Sequence, residues 1–97
     1  MAKGYWVVAV DVSDAEQYGV YQQFVRSFLA ANNGRFIVRG GQKEVVEGSL
    51  RSRVVVIEFP SYSDATRVYH SDEYQAGMQN RIGASVADFA IVEGFDS

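Results

Sequence analysis

The chain has 97 residues, with 9 basic and 12 acidic side chains and a net charge of −3. That balance favours solubility and opposes bulk attraction to nucleic acid or to an anionic membrane. Cysteine is absent, which excludes a disulfide framework and a thiolate nucleophile, and no apolar run approaches the roughly 20 residues that cross a bilayer.

The opening stretch MAKGYWVVAVD has one lysine and an apolar run soon interrupted by Asp11, so it does not form a signal peptide, and a cytoplasmic location is expected. Residues 5–12, YWVVAVDV, are β-branched and aromatic and predict a first strand. Ser13 and Glu16 have capping-box spacing, which predicts a helix beginning there. Tyr18, Tyr21, Phe24, Val25, Phe28 and Leu29 recur at intervals of three and four and fall on one face of it. AANNG at 30–34 supplies the residues that tolerate a left-handed end.

A second strand is expected from residue 35, RFIVRG, with a bulge or bend at Gly40-Gly41 and a continuation through EVV at 44–46. Gly48-Ser49 is the natural hairpin tip, and RVVVIEF at 53–59 returns as the third strand until Pro60 stops it. Ser63 and Asp64 open a second helix that runs to about His70. Ser71, followed by Asp72 and Glu73, is a fresh N-cap with acids in its first turn. Two short helices or one broken helix fill 64–82, Gly83 closes them, and VADFAIVEGF is the last strand.

The order βαββαβ predicts an α+β, ferredoxin-like fold: one domain over residues 1–97, with a four-stranded antiparallel sheet and the helices on one face. A sheet with its other face in water alternates apolar with polar residues. YWVVAV, RVVVIEF and FAIV are instead nearly continuous, so both faces need cover. Hydrophobic residues make up 47% of the chain and aromatics 13%, whereas a chain of this size buries only about 60 to 65% of its unfolded surface. A homodimer with two sheets facing across a two-fold axis is the economical solution.

With Gly48-Ser49 as the tip, cross-strand partners sum to about 97, which sets Arg39 opposite Glu58 on the dimer side. Phe36, Val38, Val55, Ile57 and Phe59 then line the helix side. A charge on an apolar face must be paired or wetted. Arg39 and Glu58 are therefore either an ion pair that fixes register or the lining of a cavity in which Arg39 receives a ligand oxygen. His70 is the single histidine, the one side chain whose ordinary pKa suits proton transfer near neutrality. Its place at a helix end equally suits a plain dipole partner. Trp6 and Tyr5 are core or interface anchors, or an aromatic wall for a planar ligand. The sequence contains no spaced metal motif, phosphate loop or serine triad.

RNA recognition motifs share this element order and read RNA with aromatics on the exposed sheet face. Here the third strand is RVVVIEF, with one aromatic at its end. The basic cluster between Arg35 and Arg53 is the only feature in favour of RNA, so no nucleic acid and no membrane are expected as partners.

GYWVV, GRFIVRGG at 34–41, EVVEG at 44–48, VVIEFPS at 55–61 and YHSDEY at 69–74 resemble the domain of unknown function 1330 family, in order and over essentially the whole chain. That family belongs to the dimeric alpha-beta barrel superfamily. The resemblance implies a ferredoxin-like protomer and a homodimer, and no particular reaction. The wider superfamily includes cofactor-free monooxygenases, muconolactone isomerase-like enzymes, haem-degrading enzymes and stress-responsive proteins. Its haem degraders use an asparagine on the first strand and a tryptophan and histidine on the second helix. YWVVAVDV has no asparagine and no tryptophan stands near His70, which speaks against haem. In several such enzymes the pocket lies between helices and sheet, which would favour Trp6, Tyr21, Tyr69 and His70.

The expected function is binding of a small planar or carboxylate-bearing organic molecule by a homodimer, with no cofactor and no metal. If chemistry occurs, it is cofactor-independent proton transfer or oxygenation, with Arg39 as electrostatic anchor, Glu58 as its partner or a base, and His70 as proton shuttle. The competing class is a non-catalytic regulatory or stress-related dimeric interaction module.

Overall fold

The computed structural model of the chain describes residues 2–96. Strand β1 (Gly4–Val12) leads to helix α1 (Ala15–Ala31), then β2 (Arg35–Arg39) and β3 (Arg53–Phe59). Helices α2 (Tyr62–Tyr69) and α3 (Asp72–Gly77), with a 3-10 turn at Met78–Asn80, precede β4 (Ser85–Glu93). The strands form one antiparallel sheet in the order β2-β3-β1-β4, the expected ferredoxin-like arrangement.

Alternation along β1 sends Trp6, Val8 and Val10 to the helix side, where they are buried. Val55, Ile57 and Phe59 of β3 join them, together with Tyr18, Tyr21, Val25, Phe28 and Leu29 of α1. Trp6 is wholly buried, and its indole N–H donates to the Ala65 carbonyl at 2.8 Å, which ties α2 to the central strand.

The helix ends refine the sequence reading. Asp14, not Ser13, caps α1, accepting from the Gln17 N–H at 3.1 Å. Ser13 is committed elsewhere: its hydroxyl and its backbone N–H both donate to the Ala84 carbonyl, joining the start of α1 to the start of β4. Ser61, not Ser63, caps α2, while Ser71 caps α3 as expected. Asn33 adopts φ 64° and Gly34 donates back to the Leu29 carbonyl, closing α1 as its AANNG sequence predicts.

The larger correction concerns β2. Arg35 pairs with Glu58 and Phe36 with Ile57, but Val38 then pairs with Val56 and Arg39 with Val55. Ile37 is thus the extra residue of a bulge, three positions before the expected bend at Gly40-Gly41. Two residues now oppose one, so Phe36 and Arg39 both face the helices. Arg39 does not meet Glu58; its guanidinium lies 4.5 Å from the centroid of the Phe36 ring. Val38, expected on the helix side, pairs with Val56 on the outer face.

Residues 44–46 do not extend β2. Gly40, at φ 64°, turns the chain away after donating to the Val54 carbonyl, and residues 40–52 form a loop. Its far end is clamped on the outer face: Arg51 bridges Asp11 at 3.0 Å and Asp88 at 3.1 Å, and the Ser52 N–H donates to Asp11 at 2.8 Å.

The outer face carries Tyr5, Val7 and Ala9 from β1, Val54 and Val56 from β3, and Ala90 and Val92 from β4. All three helices lie on the opposite side, so this apolar face has no cover beyond the loop around Leu50, which borders Val7, Ala9 and Val54. No described helix is long and apolar enough to cross a membrane.

The Ser52 N–H, then Arg51, hold the Asp11 carboxyl below its ordinary value. A carboxylate depressed in the folded state contributes above its unfolded pKa and stops contributing as pH falls through the folded value. Asp11→Ala should accelerate amide hydrogen exchange across residues 47–52 at neutral pH. In the unsubstituted protein the same acceleration should appear only below the ordinary carboxylate range.

Candidate functional site

Between α1, the inner face of the sheet and the turn before β4 lies a cavity of about 40 Å³, enough for roughly three waters or the polar end of a small ligand. Each element places its side chains there for a simple reason. Tyr18 and Tyr21 lie on the buried stripe of α1. Arg53 has the strand parity of Val55 and Ile57, so it points inward with them. Arg39 arrives through the Ile37 bulge. Arg81 follows the 3-10 turn, and its guanidinium sits 5.6 Å from the Tyr21 centroid and 5.5 Å from that of Phe89.

The lining includes Arg39, Arg53 and Arg81 but no aspartate or glutamate. Among the described residues none of these three arginines forms an ion pair; the paired cations are Lys3, Arg35, Arg51 and Arg67. Arg81 is only 7% exposed. Its polar neighbours are all neutral, the Met78 sulfur at 3.6 Å from Nη2 and the hydroxyls of Tyr21 and Tyr74, and Nε of both Arg81 and Arg53 is buried with no hydrogen-bond partner. Gly40 makes room for Arg53, since a Cβ at this position would collide with Nη1.

Burial pushes the phenols of Tyr18, Tyr21 and Tyr74 above their ordinary value, with the nearby arginines opposing the shift. All three therefore remain neutral near neutrality. The hydroxyls of Tyr21 and Tyr74 share a hydrogen bond of 2.8 Å, in which either can donate. The cavity thus offers fixed positive charge, neutral hydroxyls and aromatic walls, a combination suited to a small anion with a flat apolar body.

Of the residues singled out in the sequence, Arg39 and Tyr21 line this cavity. Trp6 does not; its ring and its N–H are both used by the core. Tyr69 is half-buried and packs against Trp6, Tyr74 and Phe89 outside the lining. His70 is exposed at the C-cap of α2, with its ring against the edge of Tyr69. Glu58 lies on the outer face, bridged to Arg35 at 3.3 Å and Lys3 at 3.7 Å. Arg39 and Glu58 therefore lie on opposite sides of the sheet. Tyr18, Arg53 and Arg81 were not anticipated. For Arg53 the signal was present, because it alternates in step with Val55, Ile57 and Phe59.

The family model described as domain of unknown function (DUF1330) matches residues 3–95. The chain belongs to that family. Among curated proteins none matches it. Solved structures share its fold. A protein of unknown function from Rhodopseudomonas palustris superposes with a TM-score of 0.77 at 14% identity, covering 99% of this chain and 85% of that one. SnoaB, a cofactor-independent oxygenase from Streptomyces nogalater, gives a TM-score of 0.65 at 13% identity, covering 100% and 97%. A DABB family protein with a ferredoxin-like fold from Mesorhizobium loti gives 0.65 at 14% identity, covering 100% and 99%. At these identities the likeness establishes the fold of this DUF1330 protein and leaves its chemistry to the cavity.

Gly40→Ala should lower stability by about 1 to 2 kcal/mol from its left-handed backbone alone, and should displace Arg53 as well. His70→Ala, at an exposed position, should change stability by no more than about 0.5 kcal/mol. Thermal denaturation of the two variants beside the unsubstituted protein checks both.

Proposed function

We propose that this protein binds a small organic molecule bearing a carboxylate or similar oxyanion on a planar body, in the cavity between α1 and the sheet. The observation that carries the reading is the convergence of Arg39, Arg53 and Arg81, without a facing carboxylate, in a chain whose net charge is negative. Such a cavity draws an anion by field and holds it by charge-assisted hydrogen bonds. Arg39 is exposed at the rim and serves as the outer anchor. Tyr21 and Phe36 supply flat walls.

Should the protein be an enzyme, cofactor-independent oxygenation or proton transfer is the class that the cavity and the fold neighbours favour, the latter by analogy only. In this reading Tyr18 and Tyr21 are the cavity's proton-carrying neutral groups. Glu58 and His70 do not line it and take no direct part. Native mass spectrometry on protein purified gently from its source should detect a reproducible small anionic adduct. Arg39→Met should weaken binding of that compound about tenfold, the scale of one partly solvated charge-assisted hydrogen bond. An adduct retained undiminished by Arg39→Met would remove Arg39 from the site.

The same spectrum addresses assembly. We propose a homodimer in which the outer sheet face covers its counterpart, because Val7 and Val92 remain 39% and 45% exposed on an apolar surface that no helix covers. Val7→Glu should convert the dimer to a folded monomer in sedimentation. An unsubstituted protein that sediments as a monomer contradicts the dimer.

The smallness of the cavity favours a second reading, a non-catalytic dimeric interaction module. A clean dimer with no adduct, and no binding of small carboxylates, supports that reading over the first.

A further inference from the structure

Deepening the proposed reading, and resting on it, we propose that the inner end of the cavity is a carboxylate site built by Arg81 and Arg53. An aryl or similarly flat monocarboxylate would enter it carboxylate first, leaving its body toward Phe36 and Arg39. Arg81 is the one charged residue among the buried described side chains. A guanidinium out of water is costly unless an anion and hydrogen-bond acceptors replace its hydration. The protein supplies no anion: Arg81 has a sulfur at 3.6 Å, two aromatic faces, the neutral hydroxyls of Tyr21 and Tyr74 and an unpartnered Nε. A leucine or methionine would fill the same volume without that cost. The second orphaned Nε, that of Arg53, belongs to the same lining and comes from β3.

The form of the site selects among anions. Two guanidinium groups offer planar forks that match a carboxylate. The lining contributes side chains from α1, the sheet and the turn before β4, not a helix N-terminus or a glycine-rich loop such as would cradle a phosphate. About 40 Å³ admits a carboxylate but not a bulky polyanion. Beyond the charged end, Val55, Ile57, Phe36 and Phe89 make the remaining wall apolar, suited to a flat hydrocarbon body.

The probe is benzoate, with benzamide as the uncharged analogue and inorganic phosphate as the competing anion. The readout is the arginine Nε–Hε region of the NMR spectrum, together with thermal denaturation. Benzoate should shift the Arg81 and Arg53 resonances saturably, and benzamide should not. Arg81→Lys, which keeps the charge but loses the fork, should weaken benzoate at least about tenfold. Arg81→Met should abolish binding and, by removing a buried charge that has no counter-ion, raise the melting temperature of the ligand-free protein. Equal benzoate affinity in the unsubstituted protein and in Arg81→Met overturns this site while leaving the broader reading intact, since the cavity would still bind. Phosphate matching benzoate in shift and affinity overturns the carboxylate assignment. Absence of any benzoate response overturns the site, and the broader reading falls with it only if the native protein also carries no adduct sensitive to Arg39→Met.

Discussion

Side chains along a strand alternate between faces, so one unpaired residue reverses the assignment of everything after it until pairing ends. Ile37 is that residue in β2. Without it, Arg39 would stand opposite Val54 and point to the outer face beside valines. With it, Arg39 joins Phe36 on the helix side, while Glu58 is neutralised from Lys3 and Arg35. The bulge thereby separates the charges of the two faces, leaving cations without counter-ions inside and balanced pairs outside.

The interior charges set function against stability. The core around Trp6, Phe59 and Tyr74 is closely packed and aromatic, with the Phe59 and Tyr74 ring centroids each 4.9 Å from that of the indole. Next to it, Arg81 occupies a place that an apolar residue would fill with less desolvation cost. Residues that break the local rule of burial are expected where a protein binds something, because the ligand completes what the fold leaves open. The paired tyrosine hydroxyls extend this polar interior past the cavity wall, from Tyr21 on α1 to Tyr74 on α3.

Much of the fold was legible in the sequence because it depends on patterns that survive small errors. The β-branched runs, the helical stripe from Tyr18 to Leu29, Ser71 as a cap and Pro60 as a stop each rest on strong local preferences. The near-continuous apolar strands also foretold an outer face that the helices leave uncovered. What failed was counting across a turn. Assuming a hairpin tip at Gly48-Ser49 treated residues 40–52 as strand and turn, whereas Gly40 leaves the sheet at once and Arg51 is drawn to Asp11 and Asp88. The site was less legible still. Arg81 stands in an ordinary polar stretch, QNRIG, whose burial is created only when α1 and β4 close over it, a long-range event with no local signal.

The loop at 40–52 links surfaces that otherwise have little to do with one another. Its last residues are fastened to carboxylates on the outer side, and its first residue packs against the Arg53 guanidinium on the inner side. It wraps the edge of the sheet as a strap fixed at both ends. A load applied to the outer side, such as a second molecule pressing on Leu50, would be carried around that edge to the wall of the cavity. Occupancy of the interior and contact at the exterior would then share one mechanical element.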